Sequence, residues 1–350
     1  MKFLIVGRGS MSNRRQRCLK ALGHNDFIAW DITDEKPIEQ VMEEYKPDAM
    51  IISCPPKTKG KYIALAAKYQ IPAFAEADTV SYDEGPYYPS SSLRFHPAIQ
   101  KMHELLNNGT LGKIYCFTYH QGMHLRDWRP SGFNFKGYYA AEQATAEMFA
   151  FELSWLSYLF GTPVNACGMI DKKLDDPDIT ADDIYSTVVR FASGEECVDR
   201  LMFKKDILSP NELQKMVEEL EQGKSIVEIP CKPSEVSWAM KQPTITGTIL
   251  VDILSRPAIR ELHIVCERGF IEWNWNYDHV EIERPDGEIE LILYEKGKAA
   301  PGYNENICED MYENELKNWV EAINGGTYRY SREEECRVIE MLRKIDGRHV

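Results

Sequence analysis

Lys2-Phe-Leu-Ile-Val6, then Gly7-Arg-Gly9-Ser-Met-Ser12, then an amphipathic stretch to Leu22 and Phe27-Ile-Ala-Trp30-Asp31: these residues decide the fold. A short apolar run, a glycine turn, a helical stretch and a second apolar run closing on an acid read as strand, turn, helix and strand. Gly7 permits the tight turn, and Gly9 lets the backbone approach a pyrophosphate held at the helix N-terminus. Asp31, some 20 residues on, is placed to accept both hydroxyls of an adenosine ribose. One position is off pattern, because Ser12 stands where a third glycine usually lets helix and strand pack closely. The expected coenzyme contacts from this unit are Gly7, Arg8, Gly9, Ser10, Met11 and Asp31. Asp31 repels a 2′-phosphate, which favours NAD over NADP, although Arg8, Arg14 and Arg15 are near enough to weaken that preference.

Composition bounds the rest. A chain of 350 residues is long enough for two domains and too long for one simple core. Its net charge of −14 argues against a nucleic-acid or anionic-membrane surface, since phosphate binding needs concentrated Lys and Arg. The nine cysteines are scattered without a C-x-x-C pair, which fits reduced thiols better than a disulfide framework or a zinc site. No charged leader with an apolar core opens the chain, and residues 3–6 are too few to span a bilayer. A soluble cytoplasmic protein without a metal is the expectation.

Further along, residues 38–45 read as a helix, 49–53 as a strand, 58–69 as a helix and 73–75 as a strand. Short apolar runs joined by helices mean parallel strands with crossovers, hence a doubly wound α/β sheet of the Rossmann type over residues 1–112. Cys54-Pro55-Pro56 stops the third strand at its carboxyl end, where ligands collect in such sheets. Ser53, Pro55, Thr58 and, after the next strand, Glu76 therefore join the expected coenzyme contacts.

From about residue 110 the pattern changes. Residues 114–121, 164–170, 184–191, 196–203, 248–254, 261–266, 270–275 and 280–283 read as strands, most separated by short turns. Runs of this kind predict a large, mainly antiparallel open sheet. A helix over 140–160 makes the second domain, 113–304, α+β. Residues 205–246 look inserted: Ser209-Pro210-Asn211-Glu212 is a capping box, and Leu213, Met216, Val217 and Leu220 form one apolar stripe. A surface helix, a lid and a subunit contact are all open for it. Two amphipathic helices over 305–350 are expected to pack back on the body.

With residues 49–130 in view, the chain resembles the glucose–fructose oxidoreductase/inositol dehydrogenase (Gfo/Idh/MocA) family, almost end to end. The resemblance is carried by Ile51-Ile-Ser-Cys54-Pro55-Pro56, the strand ending Ala73-Phe-Ala-Glu76-Ala77-Asp78, the Arg94-Phe-His-Pro97 turn, the segment Gly109 to Ile114 and Leu159-Phe160-Gly161. Asp127-Trp128-Arg129-Pro130, Ser255-Arg256-Pro257 and Glu267-Arg-Gly269-Phe-Ile-Glu272-Trp273 look like a branch associated with unusual amino- or acid-sugar pathways. The resemblance implies reversible hydride transfer between NAD(P) and a hydroxyl of a sugar derivative, with nucleotide-linked, amino and acidic sugars all open, and a homodimer or homotetramer built through the large sheet. It also implies a lysine in Glu-Lys-Pro as proton carrier, aided by an acid and a histidine on the long helix.

Here the sequence departs from that pattern. Position 77 is Ala and 78 is Asp; counting back from Leu159-Phe160-Gly161 puts Phe151 at the histidine position and Ser154 at the following acid. Only Glu147 keeps a carboxylate where the family has one. Two explanations compete: another residue carries the proton, or the chain binds a dinucleotide or sugar as a catalytically degenerate binding or regulatory protein. A third keeps the fold and drops the cofactor. The candidate proton carriers are Glu147, His124 and Tyr138, with His96, His120, Lys136 and Tyr139 behind them. Expected substrate contacts are Arg94, His96, Trp128 and Arg129: an aromatic face suits a sugar ring, and an arginine fork suits a carboxylate or phosphate. His96 in its turn also has a purely structural alternative. Glu142, Glu147 and Glu152, spaced by five, fan around the helix and do not make a carboxylate pair.

Overall fold

The computed structural model describes residues 1–127, 144–192, 244–301 and 308–347. Five parallel strands form the first sheet, β1 (Phe3–Val6), β2 (Phe27–Trp30), β3 (Ala49–Ile52), β4 (Ala73–Ala75) and β5 (Tyr88–Pro89), in the order β2-β1-β3-β4-β5. Helices α1 (Ser10–Ala21), α2 (Ile38–Tyr45) and α3 (Pro56–Lys68) supply the crossovers. β1 is buried on both faces, so its four apolar residues alternate between two cores. Phe3 and Ile5 pack with Cys18 and Leu19 of α1, while Leu4 and Val6 pack with Val41 and Met42 of α2 and Ile63 and Ala66 of α3. β2 and β3 flank β1 on opposite sides, so the order reverses at β1 and opens a crevice beyond its carboxyl end.

The first face is completed from the far end of the chain. Helix α6 (Asp310–Ile323) lays Leu316 and Trp319 against Phe3, Ile51 and Phe74. Trp319 is fully buried, with ring centroids 5.4 Å from Phe74 and 6.0 Å from Phe3.

The second sheet has eight strands in the order β13-β12-β11-β10-β6-β9-β8-β7. They are β6 (Ile114–Gly122), β7 (Thr162–Asp171), β8 (Ile184–Ala192), β9 (Thr244–Asp252), β10 (Ile259–Cys266), β11 (Gly269–Asn274), β12 (His279–Glu283) and β13 (Ile289–Leu293). All pairs are antiparallel except β6 with β9. One face takes α5 (Ala144–Phe160), with Phe117 stacked on Phe160 and Tyr119 edge-on to Trp155. α7 (Arg332–Asp346), capped by Ser331 and Glu334, packs on α5. The opposite face is open and carries Met169, Val188 and Val265 exposed.

The α/β class with a large mixed second sheet is as the sequence reads. β9 starts at Thr244, inside the stretch read as an insertion, because Thr244 pairs with Ala192 and extends the ladder. The expected strand 196–203 and the capping box at 209–212 lie outside the described residues. Helix α4 (Pro97–Asn107) and the edge strand β13 are additional to the sequence reading.

Candidate functional site

The glycine turn sits at the reversal point. Gly7 has φ +106°, and a Cβ there would stand 2.5 Å from the Ser53 carbonyl oxygen, so only glycine lets the ends of β1 and β3 lie side by side. Gly9 opens α1 in an extended conformation with no side-chain cap, and a Cβ there would meet no atom of the described residues within 4 Å. Open space before an uncapped helix N-terminus is the setting an anionic pyrophosphate needs, and the residues present fit a dinucleotide in this respect. Ser12 is fully buried, small enough for the close packing that a third glycine would otherwise serve. Ser10 and Met11 are half-buried in the first turn. At the end of β2, Asp31 Oδ1 accepts the Thr33 N–H (3.1 Å) and hydroxyl (2.9 Å). On the β3 side, the Ser53 hydroxyl donates to Glu76 (3.2 Å) and the Thr58 hydroxyl donates to the carbonyl of the exposed Pro55 (2.9 Å).

Glu76 is less available than the sequence suggests. Arg15, wholly buried, grips both its oxygens (2.7 and 2.9 Å) and also reaches Glu315 of α6 (2.8 Å). Burial alone would raise the Glu76 carboxyl, but the Arg15 charge outweighs it and holds Glu76 below the usual range. Glu315, sharing the same guanidinium, is raised by burial. The pair of acids and one arginine ties α1, the end of β4 and α6 together.

Beyond Glu76 lies a cluster that the sequence reading missed. Lys59 of α3 is buried, and its ammonium donates to the carbonyls of Glu76 (2.9 Å) and Ala77 (3.0 Å) and to Asp78 Oδ2 (2.9 Å). Three donors meet three acceptors, so the cation is fixed at the backbone of Ala77. Burial would lower its pKa, but Asp78, Glu147 and Glu76 raise it on balance. The Tyr82 hydroxyl bonds the same Asp78 oxygen and stays protonated, its pKa raised by burial and by that carboxylate. Glu147 of α5 is within electrostatic reach of Lys59, Asp78 and Glu76, and its Oε2 is sealed from solvent without a hydrogen-bond partner among the described residues. Burial pushes its carboxyl up to about 8, against the pull of Lys59. A carboxyl tuned near neutrality beside a fixed cation suits general acid–base chemistry. One signal pointed to Lys59: it occupies the apolar face of α3 with Ile63 and Ala66.

Several expected residues do other work. Arg94 is buried and spends its donors on the Ser154 carbonyl, the Ser157 hydroxyl, the Arg329 carbonyl and Glu334, so it pins α5 to α7 and is closed to a substrate. His96 caps α4 by accepting the Ala98 N–H at Nδ1 (3.2 Å), lies between Trp273 and Tyr294, and is driven down to about 3 by burial. Neither fits the substrate role assigned from the sequence. His120 bonds Asp252 (2.8 Å) and, alternating with Phe117 and Tyr119, faces away from α5. There it lines a shallow depression of about 400 Å³ on the open sheet face with His263 and Glu261, remote in character from the sealed cluster. His124 is buried and shapes the turn at Leu125–Asp127 by accepting the Arg126 N–H (3.3 Å). Phe151 packs on the core, and Ser154 bonds Ser91 (2.7 Å). Glu152, pointing elsewhere than Glu147, is consumed by Arg260 (2.5 Å), Tyr119 and Trp155 (2.6 Å each). Trp128, Arg129 and Tyr138 lie outside the described residues. Among those described, no His, Cys, Asp and Glu group is arranged to hold a metal, and no helix is long and apolar enough to cross a membrane.

Three solved structures share this architecture over nearly the whole chain. One is an oxidoreductase from Agrobacterium radiobacter in complex with NAD+, L-tartaric acid and magnesium (TM-score 0.68, 12% identity, 99% of this chain and 95% of that one). Another is levoglucosan dehydrogenase in complex with NADH (TM-score 0.69, 12% identity, 99% and 96%). The third is a UDP-N-acetylglucosamine 3-dehydrogenase from Acidithiobacillus ferrooxidans (TM-score 0.61, 12% identity, 99% and 98%). At such identities the likeness is one of fold. No curated protein matches the sequence significantly. Residues 99–198, which carry most of α4 and all of β6, α5, β7 and β8, match the GFO/IDH/MocA C-terminal domain.

Proposed function

We propose that the protein is an NAD-dependent oxidoreductase that moves hydride between the coenzyme and a hydroxyl-bearing carbon of a sugar derivative, with Glu147 as the proton carrier. One observation carries this reading: a sealed carboxylate oxygen, without a partner among the described residues and tuned near neutrality, lies within electrostatic reach of the cluster that follows β4, on the sheet whose reversal point holds the glycine turn. Gly7, Gly9, Ser10 and Met11 would hold the pyrophosphate, Asp31 the ribose, and Ser53, Pro55 and Thr58 the nicotinamide side. The bound NAD+ supplies the hydride acceptor. As hydride leaves the carbon, the hydroxyl proton passes to the ionised Glu147, and the reverse direction returns it. Lys59, already saturated with acceptors, stays charged throughout and stabilises the ionised carboxylate without moving a proton itself.

The polyhydroxylated and acidic ligands of the structural neighbours, tartaric acid among them, support this substrate class, as do Trp128 and Arg129, residue types that suit a sugar ring and an anion. A nucleotide-linked, amino or acidic sugar fits best. The open sheet face, with Met169, Val188 and Val265 exposed on it, supports a homodimer or homotetramer, and the dispersed thiols, free at every cysteine described, support a cytoplasmic setting. Incubation of the pure protein with NAD+ and a panel of such sugars tests the reading by growth of NADH absorbance. Binding of NADH with silence across the panel would favour the alternative of a non-oxidising ligand-binding protein, which Ala77 and Phe151 motivate.

A further inference from the structure

Three arginines near the glycine turn are candidates to bind a 2′-phosphate, and the structure separates them. Arg14 is turned inward, with Nε on Glu309 (2.9 Å) and its guanidinium 4.2 Å over the Tyr312 ring. Arg15 is wholly buried between Glu76 and Glu315. Arg8 is different: it stands between the two glycines with its side chain 53% exposed. It reaches across the turn to the end of β2, where both terminal nitrogens donate to Asp34, Nη2 to Oδ2 at 2.8 Å, and Nη2 also approaches the Ala29 carbonyl (3.3 Å). Asp34 is itself anchored, since its Oδ2 accepts the Asp31 N–H (3.0 Å) and its own N–H donates to the Asp31 carbonyl (2.9 Å). Two carboxylates and one guanidinium therefore share the rim where Asp31 meets a ribose.

We infer that Asp34 is a specificity-determining residue for the coenzyme: by holding Arg8 in a bidentate pair it withholds that cation from a 2′-phosphate, and with Asp31 it keeps the rim net negative. The inference rests on the coenzyme reading above. A 2′-phosphate would bring further negative charge to a rim that already carries two carboxylates against one cation, and would need Arg8 as its fork. NAD makes no such demand, since its ribose hydroxyls only donate to Asp31. An exposed ion pair counts for little unless its geometry is bidentate, as it is here, and loss of the Asp34 charge removes the hold on Arg8.

The test is coenzyme binding, measured by fluorescence or calorimetric titration of NADH and NADPH, which needs no substrate. Asp34→Asn keeps an acceptor for the Asp31 N–H and removes the charge. It should raise NADPH affinity about tenfold while NADH affinity changes by less than about threefold, the latter also reporting that the site is folded. Arg8→Ala added to Asp34→Asn should abolish the gain, and the gain should shrink as salt is raised. An unchanged NADPH-to-NADH ratio in Asp34→Asn, or a gain that survives loss of Arg8, overturns the inference and leaves the coenzyme reading standing. Wild-type protein that binds neither nucleotide overturns that reading first, and this inference with it.

Discussion

The two glycines of the first turn should respond in opposite ways to the same added methyl group. Gly7 has φ +106°, and its Cβ would stand 2.5 Å from the Ser53 oxygen and 3.0 Å from the Ser53 carbon, both backbone atoms of the neighbouring strand. Gly7→Ala therefore combines the strain of a left-handed conformation, about 1–2 kcal/mol, with a clash that no side chain can relieve, worth about 1–3 kcal/mol as overpacking. A loss of about 2–5 kcal/mol is expected from urea unfolding. Gly9 has φ −75° and ψ −171°, accessible to any residue, and among the described residues nothing lies within 4 Å of where a Cβ would stand. Gly9→Ala weakens the N-cap by about 0.5–1 kcal/mol, while the stiffer unfolded chain returns about 0.4–1 kcal/mol, so stability should hold within about 0.5 kcal/mol. The methyl instead occupies the space kept for the pyrophosphate. NADH affinity should then fall at least about tenfold, equivalent to about 1.4 kcal/mol. Full NADH affinity in a well-folded Gly9→Ala protein would refute the placement of the pyrophosphate at this turn. Equal stability of the two variants would refute the argument from β1–β3 approach.

Glu147→Gln should abolish turnover while sparing NADH affinity, and it should change how stability depends on pH. The Glu147 carboxyl is raised to about 8 by burial, against about 4.5 in the unfolded chain, so its stabilising contribution is complete below about pH 4.5 and is lost as pH climbs through about 8. The variant should gain about 2–4 kcal/mol relative to wild type between pH 5 and pH 8.5 in urea melts, and parallel pH profiles would exclude the raised carboxyl. Lys59→Met strands the buried Asp78 carboxylate and should cost about 3–5 kcal/mol, with part recovered in the double variant Lys59→Met/Asp78→Asn. A cost below about 1 kcal/mol would mean that the ammonium is not the cluster's organising charge. Trp319→Ala removes a fully buried indole whose Nε1 has no hydrogen-bond partner among the described residues, so the loss is one of packing, about 3–5 kcal/mol by thermal or urea unfolding. A small effect there would show that α6 does not seal the first sheet.

What was legible in the sequence was local. The turn at Gly7 and Gly9 needs only neighbouring residues to be understood, and the strands β6, β8, β10 and β12 announce themselves by alternation against one buried face. β13 escaped because it is an edge strand with Ile289, Leu291 and Leu293 all exposed and only Ile292 packed on the core, so its more apolar face points outward. α4 escaped because His96 caps it through a ring nitrogen, outside the usual Ser, Thr, Asp and Asn set, and Pro97 reads as a turn before it reads as a first helical residue.

The site residues divide along the same line. Arg94 looked free to meet a ligand because its acceptors, Ser154, Ser157 and Glu334, are 60, 63 and 240 residues away. In sequence, Ala77 and Asp78 read as losses, because neither puts a lysine at the strand end. The structure brings an ammonium to the Ala77 carbonyl from α3, 18 residues earlier, and a carboxylate into its field from α5. A charge can be supplied to one point in space from any element that passes it, and the chain records only the element. The informative feature was therefore a lysine on the apolar face of α3: a buried cation costs too much to persist without acceptors, and its acceptors lie at the end of β4.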